Sequence, residues 1–135
     1  MTAPDPALKY VLRELGPPAR EFYRRLDAGE LATTFCAVCE RFSFPPRERC
    51  ADCGEELAWR PLSGHGSIYA FTAQERGLRF TAPDVVGIAE LDEGVRVFGV
   101  FDDGLDDLAI GLPVEIHLRR DVPGMTLLGF KVIPE

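Results

Sequence analysis

The four cysteines of this 135-residue chain fall into two Cys-x-x-Cys pairs, Cys36/Cys39 and Cys50/Cys53, with ten residues between the pairs. A two-residue gap lets both sulfurs of a pair turn toward one point. Two such knuckles facing each other make a tetrahedral four-thiolate site, the geometry that a structural zinc ion prefers. With all four positions taken by protein, none is open to water or substrate. The expected role of the metal is to hold the fold together, with no chemistry of its own.

Two rival readings use the same residues. A redox Cys-x-x-Cys stands at the start of a helix, which lowers the pKa of its first thiol. Cys36 follows a strand-like stretch through Leu31, Thr33 and Phe35, but Pro45-Pro46 blocks a helix behind Cys39. Two disulfides would suit a secreted protein. The N-terminus, Met1-Thr2-Ala3-Pro4-Asp5, has no basic region followed by an apolar run, and no stretch is long and apolar enough to span a bilayer. Zinc in a reducing cytoplasm is the consistent expectation; iron in the same four sulfurs is the alternative metal.

A module of about 20 residues cannot bury enough apolar surface to fold unaided. Zinc binding supplies about 10–16 kcal/mol to such modules. Four thiolates around Zn²⁺ leave a formal charge of −2, which backbone N–H groups and Arg41, Arg47 and Arg49 could offset. Gly54, just past the second pair, suits the positive φ that a knuckle needs.

The surrounding sequence must position this site. Asp5-Pro6 opens a helical pattern through Leu8, Val11, Leu12 and Leu15, ended by Gly16. Pro17-Pro18 opens a second, through Ala19, Phe22, Tyr23 and Leu26, ended by Gly29. Each helix packs on its own chain or docks on a partner. After the cysteines, Glu56–Arg60 closes a ribbon that includes Trp59, and the periodicity then turns strand-like. Runs at Ser67–Ala73, Val85–Leu91, Val95–Phe101, Val114–Leu118 and Leu127–Ile133 are separated by turn signals, with Asp92-Glu93-Gly94 marking a hairpin. Five strands with no helical period between them predict a small closed antiparallel barrel of the OB type, with Gly87 and Gly99 at its bends. The fold class is thus mostly β with N-terminal α: helices over residues 1–30, a zinc ribbon over 31–62 and an OB barrel over 63–135.

Residues 61–135 hold 6 basic against 12 acidic groups, so −6 of the net charge of −7 falls in the barrel half. That balance repels phosphate backbones, and no basic cluster or RNA-binding aromatic pattern offsets it.

Cys36-x-x-Cys39, Phe44-Pro45-Pro46-Arg47, Cys50-x-x-Cys53-Gly54, Leu62–Thr72, Leu91–Val97 and Ile110–Val114 together resemble a known family. It comprises the bacterial and archaeal "domain of unknown function" proteins that join two N-terminal helices, a rubredoxin-like zinc ribbon and an OB-fold, and that are linked to acyl-CoA metabolism. Glu40 departs from the family pattern, which commonly has glycine after the first pair. The resemblance implies a noncatalytic small subunit of a thiolase-superfamily complex: a thiolase, an acyltransferase or a lipid-transfer-type aldolase that shortens steroid side chains. The partner carries the catalysis on CoA thioesters, and this subunit supports its folding or its substrate channel. Thiolase-like partners usually dimerise, which implies an α₂β₂ heterotetramer.

The residues themselves argue against an independent enzyme. There is no P-loop and no Gly-x-Ser-x-Gly elbow, and every thiol is committed to metal. His117 lies in strand alternation and reads as packing. His65, between two glycines at a domain junction, is the histidine better placed to reach a neighbouring site. The acidic run from Asp102 to Asp107 lacks EF-hand spacing and reads as a solvated loop. For CoA or partner contact the candidates are Arg76, Arg79 and Phe80 between the first two barrel strands, with Arg47. Guanidinium groups suit phosphates, and an exposed phenylalanine suits an acyl path or an interface. A freestanding acyl-CoA-binding protein is the second reading. Nucleic-acid binding, which rests on fold analogy, is the third.

Overall fold

The computed structural model describes residues 16–74, 84–122 and 125–134. The helix expected over Leu8–Leu15 lies outside the described residues. The chain divides into two compact units, Met1–Leu62 with Pro123–Thr126, and Ser63–Val122 with Leu127–Glu135.

In the first unit, α1 spans Pro17–Asp27. Two prolines at its start are tolerated because the first-turn N–H groups have no helical acceptor. Its end is a Schellman motif: Glu30 N–H donates to Arg25 O, Gly29 N–H to Leu26 O, and Gly29 takes a φ of +93°. The apolar stripe is buried at Phe22 and Leu26, and Phe22 meets Phe44 edge-on at 5.2 Å. Complete burial of Leu26 contributes about 1.5–3 kcal/mol relative to an exposed side chain.

Beside α1 is a three-stranded sheet in the order β2-β1-β3, with β1 at Ala32–Cys36, β2 at Arg41–Ser43 and β3 at Ala58–Pro61. Both neighbours run antiparallel to β1. Thr33 and Thr34 are buried in the central strand, where their hydroxyls are satisfied. Thr33 donates to Ser43 O at 2.6 Å, and Thr34 Oγ1 accepts from Arg47 N–H at 3.1 Å.

The second unit is a closed barrel in the order β4-β5-β6-β8-β7. Its strands are β4 His65–Gln74, β5 Asp84–Leu91, β6 Arg96–Phe101, β7 Pro113–Val122 and β8 Met125–Val132. This is the OB strand order. It differs in one respect from a wholly antiparallel barrel: β6 and β8 pair in parallel, Val100 opposite Gly129 and Phe101 opposite Phe130. In a closed ring of five strands alternating directions cannot persist all the way round, so one neighbouring pair must run parallel. Gly94 makes the β5–β6 hairpin at φ +87°.

Gly87 and Gly99 are required by close approach, since a Cβ at Gly87 would stand 2.1 Å from Ala70 O and one at Gly99 would stand 2.7 Å from Phe130 Cζ. The interior holds Ile68, Val97, Val114 and Phe130, with Phe101 edge-on to Phe130 at 5.1 Å. Among the described residues no helix is long and apolar enough to cross a membrane.

Candidate metal centre

Each cysteine pair caps a hairpin. Cys36 ends β1 and pairs with Arg41, so residues 37–40 form the tip between β1 and β2. The second pair caps a tighter hairpin. Arg49 bridges Glu56, Leu57 N–H donates to Glu48 O, Cys50 N–H to Glu55 O and Gly54 N–H to Cys50 O. In both tips the residue after the second cysteine has a positive φ, +55° at Glu40 and +76° at Gly54.

The two tips bring all four sulfurs within 4.8 Å of one another. Cys36 Sγ is 3.5 Å from Cys53 Sγ, and Cys50 Sγ is 3.9 Å from Cys39 Sγ. A tetrahedron of thiolates at about 2.3 Å from zinc has edges of about 3.8 Å, so the donor set fits such an ion. The same separations are well beyond the roughly 2.05 Å of a disulfide, and all four thiols are free. Behind Cys39 comes β2, with no helix start, so the environment that activates a redox thiol is missing from this segment. The cysteines grade from buried Cys36 to exposed Cys53. Crowding shifts their ionisation: Cys39 is pushed up to about 12, first by its hydrogen bond with the Cys53 thiol, while the Cys53 backbone N–H lowers Cys50. Four thiols this close ionise together only with a cation among them.

Of the polar groups expected to balance the sulfurs, Cys39 N–H donates to Cys36 Sγ at 3.3 Å. The arginines brace the tips. Arg41 forms an ion pair with Asp52, tying the first knuckle to the second, and Arg49 donates to Gly54 O at 3.3 Å. Arg47 lines a cleft of about 340 Å³ with Pro17, Pro18, Glu21, Arg49 and Trp59. Trp59 carries the Arg25 guanidinium at 4.7 Å from its ring centroid. That cleft escaped the sequence reading, because its walls come from the helix, the second hairpin and β3.

The remaining candidates fall elsewhere. His65 is exposed at the start of β4, opposite Glu115 of β7. Arg76, Arg79 and Phe80 lie outside the described residues. The acidic run is a tethered loop. Asp102 Oδ2 is 2.7 Å from His117 Nε2, and Asp103 accepts from Val132 N–H at 2.9 Å. A 3-10 turn covers Leu105–Asp107. The structure thus brings the four cysteines together, and among the described residues it gathers no other predicted residue around them except Arg41 and Arg49, which support their hairpins.

Comparison with known proteins agrees with this architecture. Residues 59–119 match the family model described as the ChsH2 C-terminal OB-fold domain. A DUF35 domain-containing scaffold protein of Methanocaldococcus jannaschii is 32% identical over 109 residues, covering 73% of this chain and 77% of the relative. One of the same description from Methanothermobacter thermautotrophicus is 32% identical over 110 residues, covering 74% and 83%. Among solved structures, the Ltp2-ChsH2(DUF35) aldolase superposes with a TM-score of 0.80 at 24% identity, over 88% of this chain and 97% of that one. A DUF35 protein of unknown function from Sulfolobus solfataricus gives 0.66 at 16% identity, over 94% of each. The extent of identity to the two scaffold proteins, together with a cysteine ribbon followed by an OB barrel, makes this chain a member of the DUF35 family.

Proposed function

We propose that this chain is a noncatalytic accessory subunit of a lipid-transfer-type or other thiolase-superfamily enzyme that acts on acyl-CoA thioesters. The observation that carries the reading is the identity to relatives described as scaffold proteins. The likeness of fold to the DUF35 chain of an aldolase supports it. The chemistry of the chain is compatible: its four thiols converge on one point, and a cysteine committed to a metal is no nucleophile.

In this reading Cys36, Cys39, Cys50 and Cys53 hold a structural zinc, which supplies folding energy and takes no part in the partner's reaction. The division of labour follows helices 1–30, ribbon 31–62 and barrel 63–135. Arg47, His65, Arg76, Arg79 and Phe80 are the contacts to partner or CoA. The assembly is an α₂β₂ heterotetramer in the cytoplasm.

The test is co-expression with each thiolase-superfamily protein of the source genome, followed by purification through a tag on this chain, metal analysis and assay. One zinc per chain, and a partner whose solubility or activity depends on this chain, are the expected results. A partner that is fully soluble and active by itself, with this chain present or absent, overturns the proposal.

A further inference from the structure

Among the described residues, the outer wall of the barrel carries a strip of exposed apolar side chains. Phe98 of β6 is 59% exposed and stands opposite Ile88 of β5. Ile88 in turn faces Ala70 of β4, where the register slips and leaves Tyr69 as the extra residue of a bulge, 45% exposed. A bulge re-aims a side chain. Here the Tyr69 ring shares the outer wall with β6, since Arg96 reaches across β5 to stack on it at 3.9 Å while pairing with Glu90 at 3.0 Å. The other flank is the segment before β7, where Gly111 N–H donates to Ile68 O and Ile68 N–H to Leu112 O. Ile110, 65% exposed, precedes it. Tyr69, Ile88 and Phe98 therefore cross three adjacent strands of one wall, and exposed Ile110 stands on the segment that flanks β4.

A strip of this kind on a soluble barrel marks an interaction surface. Its rim says which kind. Leu105–Asp107 is a 3-10 turn with Leu105 exposed, and the carboxylates of Asp106 and Asp107 have no ion-pair partner among the described residues. Asp107 is three residues from Ile110, within about 11 Å of chain. The barrel half carries a net −6. Anionic bilayers and nucleic acids are repelled by such a rim, and a second copy would oppose acid to acid.

We infer that the strip is where the accessory subunit meets its enzyme, through a face on the enzyme that is apolar at its centre and ringed by lysine or arginine. The inference rests on the accessory-subunit reading and adds the surface to it. Phe98 and Ile110 fill the partner's apolar centre, Tyr69 is held rigid by Arg96, and Asp106 and Asp107 steer the encounter.

The experiment uses the thiolase-superfamily enzyme that co-purifies with the wild-type chain, with affinity measured across a salt series. The expected result is a loss of at least about 30-fold for the double substitution Phe98→Glu/Ile110→Glu. Phe98→Leu keeps near-wild-type binding. Asp106→Lys/Asp107→Lys slows association and flattens the salt dependence. Metal content and near-UV circular dichroism report that each variant is folded. Unchanged binding by folded Phe98→Glu/Ile110→Glu overturns the surface and leaves the accessory role standing. If no such enzyme is retained by the wild-type chain, both fall. A wild-type chain that self-associates, and turns monomeric with Phe98→Glu/Ile110→Glu, overturns the inference in favour of a second copy as occupant.

Discussion

Glu40 and Gly54 occupy the same place in the two knuckles, one residue past the second cysteine, and both have left-handed backbone, at φ +55° and +76°. Glycine adopts that conformation freely, whereas a side chain costs about 1–2 kcal/mol there. The hairpin tip imposes the same turn on both, and Glu40 meets it with the wrong residue type. The four sulfurs nevertheless converge within 4.8 Å.

Replacing Glu40 by glycine therefore relieves strain, offset in part by the greater freedom that glycine gives the unfolded chain. The expected net gain is about 0.5–1 kcal/mol in denaturant unfolding of the zinc-loaded protein. Gly54→Ala, in the mirror experiment, costs about 1 kcal/mol or more. A neutral or destabilising Glu40→Gly shows that the Glu40 side chain makes a compensating contact.

Metal removal should act unevenly. Chelation, or Cys36→Ser, is expected to unfold the hairpins that carry the cysteines, because beyond β1 no side chain of residues 37–61 is buried. The barrel interior around Val97, Val114 and Phe130 needs no ion. Hydrogen exchange should show loss of amide protection in β1 to β3 with protection retained in β5 and β6. Cobalt in place of zinc should give the intense thiolate charge-transfer bands of a four-sulfur site. Uniform protection after complete chelation contradicts the structural role.

Gly87→Ala tests the close packing of the barrel wall. The added methyl would meet backbone, at 2.1 Å from Ala70 O, and Phe101 Cε2 at 2.9 Å. Backbone on the neighbouring strand cannot step aside without breaking the ladder. We expect a loss of at least about 2 kcal/mol, read by urea unfolding. Phe130→Ala, which empties a wholly buried site, should cost about 3–5 kcal/mol.

The first unit also has an acid-sensitive contact. Glu21 is pulled down from 4.5 to about 2, first by its hydrogen bond from Arg24 and further by Arg25. A carboxyl depressed on folding stabilises the folded state above its unfolded pKa, and that contribution fades as pH falls through the folded value. The stability difference between wild type and Glu21→Gln should therefore be full above pH 4.5, shrink toward pH 2 and weaken with added salt, since the pair is solvent-exposed. A difference independent of pH over that window rules out the ion pair as its source.

Much of the architecture was legible because it is encoded locally. The Cys-x-x-Cys spacing specifies the converging sulfurs whatever surrounds them, since two residues suffice to turn one thiol back to its neighbour. Pro17-Pro18 and Gly29 bound α1, and Gly94 marks the β5–β6 turn, each by its own backbone restriction. Alternation of apolar residues announced five strands. Relations between distant segments were not in that code. Tertiary structure decided that β8 pairs in parallel with β6 and that Arg41 serves Asp52. It also decided that a bulge leaves the Tyr69 ring exposed beneath the Arg96 guanidinium, two strands from its own. The physical reason is range. A turn, a cap or a metal knuckle is determined by a few consecutive dihedrals, whereas register and the choice of a charged partner depend on where segments tens of residues apart come to rest.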